Sequence, residues 1–497
     1  MTRARYACLA LGAIAALLST GGRWDVSIAA WVAPVLLLRF VRTGPLTALP
    51  AVAAVTIAAA LLWMVQLAVP VTALTLAGIA GFGVVLWLPY AADRLIVHHG
   101  PPVARLLMFP LALMSAQFLL GTFGPFGTAY GLHAAILQDW APLVQLSAVT
   151  GPYAIAFLVG AAATVVNLVW ETGRLDRVAI GYAALLALVI AGGQARLIGV
   201  ATGEPTVRVA GINPSQAAID AETAVHGASR LAVTDPRTVR PEDVRAAAPA
   251  LLDDLFGQTR TAARGGAKIV MWSENAARVV AADKQSYLDR AARVADEEDV
   301  YLLVAELTYL PAAPFGTDQT HLFDPDGRLR WDYDKARPIP GLEIYRPGGH
   351  GAPVIDTEYG RISSMICYDV DFPAITHVDA DIMLVPGGDW PEMGRTHTDM
   401  ASLRGIENGY SLVRQDFNGQ STAYDAAGRV LSTQDTTTDS GIWYATVPVR
   451  SPGTPYRFTG EVSSWLALAG VLTLAATSMV ARRRSATQRA HAVAASG

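Results

Sequence analysis

Three polar residues in the second half of the chain carry the side chains needed to accept and transfer an acyl group. Glu274 follows the apolar run "IVMWS", Lys335 ends "RWDYD", and Cys367 lies near the end of "ISSMI". A thiol attacks carbonyl carbon as its thiolate, which a carboxylate base and a nearby ammonium group can supply. The same ammonium can stabilise the oxyanion that forms. These residue types therefore predict acyl transfer through a thioester.

Each of the three residues also has an ordinary structural interpretation. A lone cysteine beside a strand is commonly a small buried apolar residue, and a lone Glu or Lys is commonly a surface charge. The chain has two cysteines, Cys8 and Cys367, without the spacing of a disulfide framework or a metal site. Cys8, at the start of an apolar run, is expected to be a small membrane-embedded residue. No metal site is predicted.

The three residues lie within 203–455, a segment with the composition of a globular domain. Apolar periodicity predicts strands at 206–212, 267–272, 300–307, 360–369 and 381–387, a hairpin at 321–335 and further strands over 410–433. Helices are predicted around 251–262, 288–295 and 395–409, and an irregular loop over 213–241. Strands that alternate with helices and end in hairpins indicate an α/β sandwich. Catalytic groups collect at strand ends in such folds.

The rest of the chain is too apolar for a soluble protein. The whole sequence is 52% apolar and 16% charged, and its Lys, Asp and Glu residues are almost absent from 1–198. A membrane-spanning helix needs roughly 20 apolar residues. Eight such runs are predicted, near 4–20, 26–41, 48–66, 71–90, 103–121, 152–170, 178–195 and 463–481. We therefore expect a membrane domain of seven helices at 1–200, and a final helix with a basic tail at 460–497.

Arginines in the short loops predict the orientation, since positive charge stays cytoplasmic. They precede the first run, follow the second, fourth, sixth and eighth, and are nearly absent from the alternate loops. Both termini are then cytoplasmic, and 203–455 faces outward. The uncharged, Gly-rich segment 121–154 is either an interfacial or re-entrant piece, or a loop packed between helices. A net charge of −4 gives no indication of a nucleic-acid partner.

Longer motifs around the three residues resemble a known family. "MWSENA", "YDKARPIPGLE" and "ICYDVDFP" are similar to the three catalytic blocks of the nitrilase superfamily, whose domain is an αββα sandwich. Such a domain between a seventh and an eighth span resembles the apolipoprotein N-acyltransferase branch. The segments "GPFGTAYG" and "MASLRGIENGYSLVRQDFNGQSTAYDAAGRV" are similar to that branch too. The resemblance implies a multi-pass enzyme of the bacterial cytoplasmic (inner) membrane.

The resemblance implies a role for each of the three residues. Glu274 is the general base, Cys367 the nucleophile that accepts the acyl chain, and Lys335 the group that stabilises the oxyanion. A phospholipid donates the acyl chain, and the N-terminal cysteine amine of a diacylglyceryl lipoprotein accepts it. The implied partners are therefore membrane lipids and lipoproteins, and the implied reaction needs no metal or organic cofactor.

Further positions match the family less uniformly. Glu343 matches a supporting acidic residue, Tyr368 follows the nucleophile as in the family, and Trp390 matches a substrate-binding position. Asp369 stands where the family usually has Glu, and Gly387-Gly388 stands in "PGGDWPEM" where the family has an Asn-Asp-x-Trp-Phe block. The Trp-Pro-Glu usual at the base is "WSE" here. These departures bear on substrate and strength of activity more than on the reaction class.

Two other functions fit the same sequence. One is a membrane-tethered amidase or hydrolase of the superfamily, with water or another amine as acceptor. The other is an inactive scaffold, which the intact Glu274, Lys335 and Cys367 argue against. Four other polar residues, His397, Arg404, Glu407 and Glu306, are expected to serve structure.

Overall fold

The chain divides into two compact units. The computed structural model describes residues 2–96, 101–200, 205–227, 235–349 and 351–495. One unit comprises Met1–Gly199 and Phe458–Gly497, and the other comprises Val200–Arg457. Each unit has its own core, and they are described separately.

The first unit is helical. Its helices are α1 Thr2–Leu17, α2 Ala29–Thr43, α3 Leu49–Gln66, α4 Ala73–Ile96, α5 Pro102–Phe123, α6 His133–Ile136, α7 Ala141–Val144, α8 Ser147–Thr150, α9 Ala154–Thr172, α10 Arg177–Gly199 and α17 Val462–Ala495. Helices thus form at all eight predicted positions. Cys8 is buried in α1, in a cluster with apolar residues of α2 and α5.

Six of these helices, within the described residues, are long and apolar enough to cross a membrane. They are Leu46–Gln66, Ala73–Ile96, Pro102–Phe123, Ala154–Thr172, Arg177–Gly199 and Val462–Arg482. The helices α1 and α2, with 16 and 15 residues, are shorter than the roughly 20 that a span needs. The predicted multi-helix domain is confirmed, and six of its helices in the described part of the chain have the length and composition of membrane spans.

The segment between α5 and α9 packs within the helical unit. It forms the three short helices α6, α7 and α8, and Leu137 and Leu143 are fully buried. The side chain of Gln117 in α5 donates a 2.5 Å hydrogen bond to the carbonyl of Gly131. The segment is therefore packed against the other helices of its unit, as either alternative allows.

The second unit contains two sheets. The first has the order β13-β1-β2-β4-β5-β6, with β3 also paired to β4. Its strands are β1 Thr206–Ile212, β2 Ile269–Trp272, β3 Ala277–Val280, β4 Tyr301–Tyr309, β5 Gly316–Phe323, β6 Leu329–Asp334 and β13 Ile442–Pro448. The second has the order β12-β11-β10-β9-β8-β7. Its strands are β7 Val354–Thr357, β8 Gly360–Ser364, β9 Ile382–Gly388, β10 Ser411–Phe417, β11 Gln420–Tyr424 and β12 Val430–Asp435.

Helices pack on both sheets of this unit. The helices after α10 and before α17 are α11 Gln216–His226, α12 Pro241–Arg264, α13 Lys284–Glu298, α14 Pro373–Thr376, α15 Thr396–Asn408 and α16 Pro455–Thr459. The first sheet packs against α12 and α13, where Trp272 donates a 3.0 Å hydrogen bond to Thr259. The second packs against α15. The central strand β4 is buried along its whole length, as expected for a strand covered on both faces. The predicted αββα sandwich is confirmed.

Two segments differ from their predictions. The predicted irregular loop 213–241 contains α11, because Ser215 caps its first turn by accepting from the Ala218 amide and Gly227 ends it at φ +64°. Part of that segment, 228–234, lies outside the described residues. The predicted strand 360–369 ends at Ser364. A short 3₁₀ turn, Cys367–Asp371, replaces its second half.

Candidate active site

The ends of three strands position the three predicted catalytic side chains. Glu274 comes two residues after β2, Lys335 directly follows β6, and Cys367 comes three residues after β8. The first two belong to one sheet and Cys367 to the other. A 3.2 Å hydrogen bond from the amide of Glu274 to the carbonyl of Gly387 in β9 joins the sheets at this point. The site therefore lies between the two sheets.

The side chain of Lys335 lies at the centre of the site. Its side chain is fully buried, and its Nζ donates to Glu274 Oε1 at 2.6 Å and to Glu343 Oε1 at 2.7 Å. A third carboxyl, Asp318 Oδ2 in β5, lies 3.7 Å from Nζ. The other oxygen of Glu343 accepts a 2.7 Å hydrogen bond from the Ile339 amide. One ammonium is thus held among three carboxyl groups.

Burial and the neighbouring charges together determine the protonation states of these side chains. Burial lowers the pKa of Lys335, but Glu274 and Glu343 outweigh it, and the pKa lies well above its usual value. Burial raises the pKa of Asp318 and of Glu343, and the nearby Glu274 adds to both shifts. Lys335 therefore stays an ammonium at neutral pH. The carboxyl groups of Asp318 and Glu343 hold protons more tightly than free ones do.

Cys367 is a buried thiol on an unusual backbone. It is 1% exposed, and its φ of +44° is in the left-handed region. Burial raises the pKa of the Cys367 thiol and Glu274 adds to the shift, while Lys335 and Arg414 oppose it. The net pKa of the Cys367 thiol is therefore well above its usual value. The resting group is therefore a thiol, and a base must take its proton as it attacks.

Asp369 ties the cysteine turn to the lysine loop. Its fully buried carboxylate accepts from the Tyr333 hydroxyl at 2.8 Å and from the amides of Arg337 at 2.7 Å, Ala336 at 3.3 Å and Ile366 at 3.2 Å. Burial raises the pKa of Asp369, and Lys335 and these donors oppose the rise. The carboxylate of this shorter side chain thus accepts hydrogen bonds from both loops.

Two other predicted residues lie at the edge of the site. Tyr368 is 5% exposed and packs edge-on against Phe372, with ring centroids 5.2 Å apart. Trp390 is half-buried and directly follows the buried Asp389. The structure therefore brings Glu274, Lys335 and Glu343 into direct contact, and leaves Trp390 nearest the surface.

A second ionic cluster lies on Cys367. Arg414 in β10 is fully buried, and its Nη2 is 4.0 Å from Cys367 Sγ and 2.9 Å from Asp389 Oδ2. Its Nε donates to Asp416 Oδ2 at 2.8 Å. His397 Nδ1 lies 2.8 Å from Asp389 Oδ1 and 3.0 Å from Arg414 Nη2. His397, expected to serve structure, thus lies in contact with the groups around the thiol.

The charges of this second cluster are also set by burial and by near neighbours. Burial and Arg414 lower the pKa of His397, but Asp389 and Asp371 outweigh them and raise it to about 9. Burial raises the pKa of Asp389, but Arg414 and His397 outweigh it, so its net pKa lies well below the usual range. At neutral pH the cluster contains a guanidinium, an imidazolium and an ionised Asp389.

Sequence reasoning did not identify Asp318, Arg414 or Asp416 as residues of the site. It also did not predict the contact between Asp389 and Arg414. For Arg414 and Asp416 the signal is a charged residue inside a predicted strand, as in "SLVRQDF". Charges are rare in buried strands unless they are paired. Such positions could have been marked as candidates for a buried ionic site.

Two sets of side chains have the donor atoms of a metal site. The candidate ligand atoms of Cys367, Asp389 and His397 lie within 4.8 Å of one another, as do those of Glu274, Asp318 and Glu343. In each set a buried side chain already supplies positive charge, Arg414 in the first and Lys335 in the second. The arrangement supports nucleophilic attack by Cys367 with charge stabilisation by buried cations.

Residues 208–452 match the family model of the carbon-nitrogen hydrolases. Over 431 aligned positions the chain is 26% identical to an apolipoprotein N-acyltransferase of Geobacter metallireducens, covering 77% of this chain and 75% of that protein. This similarity extends over both units.

Other similarities are confined to part of the chain. It is 30% identical over 138 positions to a hydrolase of Schizosaccharomyces pombe, covering 23% of this chain and 43% of that protein. It is 33% identical over 108 positions to a deaminated glutathione amidase of Yersinia enterocolitica, covering 18% and 37%. The chain thus spans less than half of these two relatives. An amidase structure from Nesterenkonia sp. aligns with 50% of this chain and 93% of its own, at 18% identity and a TM-score of 0.39.

Proposed function

We propose that this chain is a membrane-bound N-acyltransferase, because residues 208–452 match the carbon-nitrogen hydrolase family model and its buried thiol shares a site with Glu274 and Lys335. It moves a fatty acyl chain from a phospholipid to Cys367 and then to the N-terminal cysteine amine of a diacylated lipoprotein. The observation that carries the proposal is the fully buried ammonium of Lys335, held at 2.6 Å and 2.7 Å by Glu274 and Glu343 beside that thiol.

In the first step Cys367 Sγ attacks the ester carbonyl carbon of the phospholipid. Glu274 takes the thiol proton, and the carbonyl electron pair moves to oxygen, where the Lys335 ammonium stabilises the negative charge. Collapse of this tetrahedral species breaks the ester C–O bond. The leaving alkoxide takes the proton from Glu274 and departs as a lysophospholipid, which leaves a thioester on Cys367.

In the second step the lipoprotein amine attacks the thioester carbonyl. Lys335 again stabilises the oxyanion, and Glu274 takes a proton from the amine. Collapse breaks the C–S bond, the electron pair returns to sulfur, and the proton is passed to it. The products are an amide on the lipoprotein and the free thiol. Every proton transfer is assigned to a residue of the site, so the proposed reaction uses no metal or organic cofactor.

The location of the substrates supports this reaction. Both the donor and the acceptor are anchored in a bilayer by acyl chains, and six helices within the described residues are long and apolar enough to span one. The proposed location is the bacterial cytoplasmic (inner) membrane. The distribution of arginines places both termini in the cytoplasm and the catalytic domain outside, where lipoprotein termini become accessible. A reporter fused to the C-terminus should therefore be cytoplasmic.

A second candidate is an amidase or hydrolase with water or another amine as acceptor. The partial similarity to a hydrolase and an amidase favours it. It differs from the first candidate only in the acceptor, because the acyl-enzyme is common to both. The similarity to an N-acyltransferase over 77% of this chain favours the first.

The test uses the full-length protein purified in detergent and a phospholipid labelled in its acyl chain. A hydroxylamine-sensitive label should appear on wild type and on Cys8→Ala, and be absent from Cys367→Ala. A diacylated lipopeptide should then receive the acyl chain, detected as a mass increase. Labelled enzyme that releases free fatty acid and leaves the lipopeptide unchanged would favour the hydrolase. No label on wild type would refute both.

A further inference from the structure

The second cation beside the thiol has no part in the reaction as described so far. We infer that Arg414 is a catalytic residue that stabilises negative charge on Cys367 Sγ, and that Asp389, Asp416 and Gly387 position it. Lys335 then serves the carbonyl oxygen and Arg414 serves the sulfur. The inference rests on the proposed function only in naming the steps that use the thiolate.

The geometry separates the two cations. Lys335 Nζ is engaged by Glu274 and Glu343, at 2.6 Å and 2.7 Å. Arg414 Nη2 lies 4.0 Å from Sγ, within reach of an N–H to sulfur hydrogen bond. The guanidinium is thus a buried cation within hydrogen-bonding range of the reacting sulfur atom.

The guanidinium is fixed on two sides. Asp416 Oδ2 accepts from Nε at 2.8 Å and Asp389 Oδ2 accepts from Nη2 at 2.9 Å, and all three side chains are buried. A planar guanidinium held at two nitrogens loses the freedom to turn away from the sulfur. The Nη1 nitrogen of Arg414 is buried without a hydrogen-bond partner among the described residues. The guanidinium of Arg414 therefore retains N–H groups that are not used in hydrogen bonds to the described residues.

A network from Asp389 returns to the nucleophile turn. Asp389 Oδ1 contacts His397 Nδ1 at 2.8 Å, and His397 Nε2 lies 3.3 Å from Asp371 Oδ2. Asp371 ends the same 3₁₀ turn that begins at Cys367. The residues that hold Arg414 are therefore connected to the backbone that holds the sulfur, which keeps the distance between them constant.

Gly387 makes room for the guanidinium. A Cβ at this position would lie 2.9 Å from both Cζ and Nη2 of Arg414, closer than such atoms approach. At Gly388 a Cβ would lie 2.9 Å from Glu274 Oε2. The glycine pair at which the sequence departs from its family thus lies against the guanidinium on one residue and against the base on the other.

Charge on sulfur appears twice in the proposed reaction. It develops when Glu274 takes the thiol proton, and again when the C–S bond of the thioester breaks and its electron pair returns to Sγ. A cation in contact with Sγ lowers the energy of both steps, because an opposite charge at this range favours the ionised form. The charged groups that face the thiol are Glu274 after β2, Lys335 after β6, Asp389 after β9, His397 in α15 and Arg414 in β10.

The test measures thiol ionisation without any substrate. Full-length Cys8→Ala protein in detergent has Cys367 as its only thiol, and its rate of alkylation by iodoacetamide is followed from pH 6 to 11. Removing the guanidinium with Arg414→Gln should raise the pH midpoint by about one unit or more. It should also slow alkylation at pH 8 about tenfold. An unchanged profile in a folded Arg414→Gln protein would overturn the inference.

A second variant retains the positive charge of Arg414 and changes its position. Gly387→Ala pushes the guanidinium away from the sulfur, and should shift the profile in the same direction as Arg414→Gln. Gly257→Ala in α12, where a Cβ meets nothing within 4 Å, is the matched control and should leave the profile unchanged. If Gly387→Ala also matches wild type, Arg414 has no role at the sulfur. Because no acyl donor is present, a shifted profile supports Arg414 even if acyl transfer fails.

Discussion

Replacing Asp369 by asparagine should weaken the catalytic domain and separate the nucleophile from the lysine loop. Its buried carboxylate accepts four hydrogen bonds, from the Tyr333 hydroxyl and the amides of Ala336, Arg337 and Ile366. An asparagine has one acceptor oxygen. If that oxygen takes the place of Oδ2, the NH₂ group faces the Arg337 amide, which donates at 2.7 Å to Oδ1 in the native protein.

The magnitude follows from this exchange. A hydrogen bond to a charged group contributes about 1.5–3 kcal/mol, and a buried donor without a partner costs about 1–3 kcal/mol. Asp369→Asn loses one such bond, leaves the Arg337 amide unpaired and weakens three other bonds, so it should destabilise the domain by about 3.5 kcal/mol. The matched variant Tyr333→Phe removes one donor and leaves the carboxylate with three, for about 1.5 kcal/mol. The difference of about 2 kcal/mol corresponds to about a 30-fold change in an opening equilibrium.

The buried thiol itself reports this opening. In a Cys8→Ala background, Cys367 is the only cysteine and is 1% exposed, so a bulky maleimide labels it when the domain opens. In mild urea, Asp369→Asn should be labelled about 30-fold faster than Tyr333→Phe. Equal labelling of the two variants would refute the reasoning, because the charge of Asp369 would then not hold the two loops together.

Three further outcomes are expected. Glu343→Gln removes one of the two carboxylates that hold Lys335 (2.7 Å), and should lower the single-turnover acylation rate about 100-fold, whereas an unchanged rate would remove Glu343 from the site. Gly388→Ala places a Cβ 2.9 Å from Glu274 Oε2 and should slow acylation at least about tenfold, while Gly257→Ala leaves it unchanged. Because the folded pKa of His397 is about 9 against 6.5 for the free group, its stabilisation is complete below pH 6.5, declines as the pH rises and is lost above 9. Thermal unfolding from pH 6 to 10 should show this decline, about 3 kcal/mol at most, in wild type and not in His397→Gln.

The sequence predicted which side chains meet at the candidate site because strand ends are visible in it. The apolar runs before Glu274, Lys335 and Cys367 end where polar residues begin, and α/β folds gather such ends at one edge. The hairpin at 321–335 was visible for the same reason, through Asp-Gly at its turn. Each of these patterns is contained in a few consecutive residues of the sequence.

What the sequence did not reveal depends on register. Asp318 reaches Lys335 because β5 and β6 pair with Gln319 opposite Asp334, which brings the residues on either side together. Arg414 reaches Cys367 because β10, β9 and β8 lie in parallel, with Leu412 beside Met383 and Ser363 beside Met383. Those pairings join residues far apart in the chain, and no local pattern records them. The charged positions within the strands were visible in the sequence, but which of them meet in the buried ionic network was not.

The left-handed backbone of Cys367 has an evolutionary consequence. At φ +44° a side chain is strained by roughly 1 kcal/mol, and glycine is not. Backbone strain alone therefore favours glycine at the position where the proposed reaction needs sulfur, against the packing that the buried side chain contributes. A lineage that no longer needed the activity could lose the nucleophile and relieve the strain in the same substitution. Inactive descendants of such a protein would then stay folded and persist, distinguished from the enzyme by a single codon.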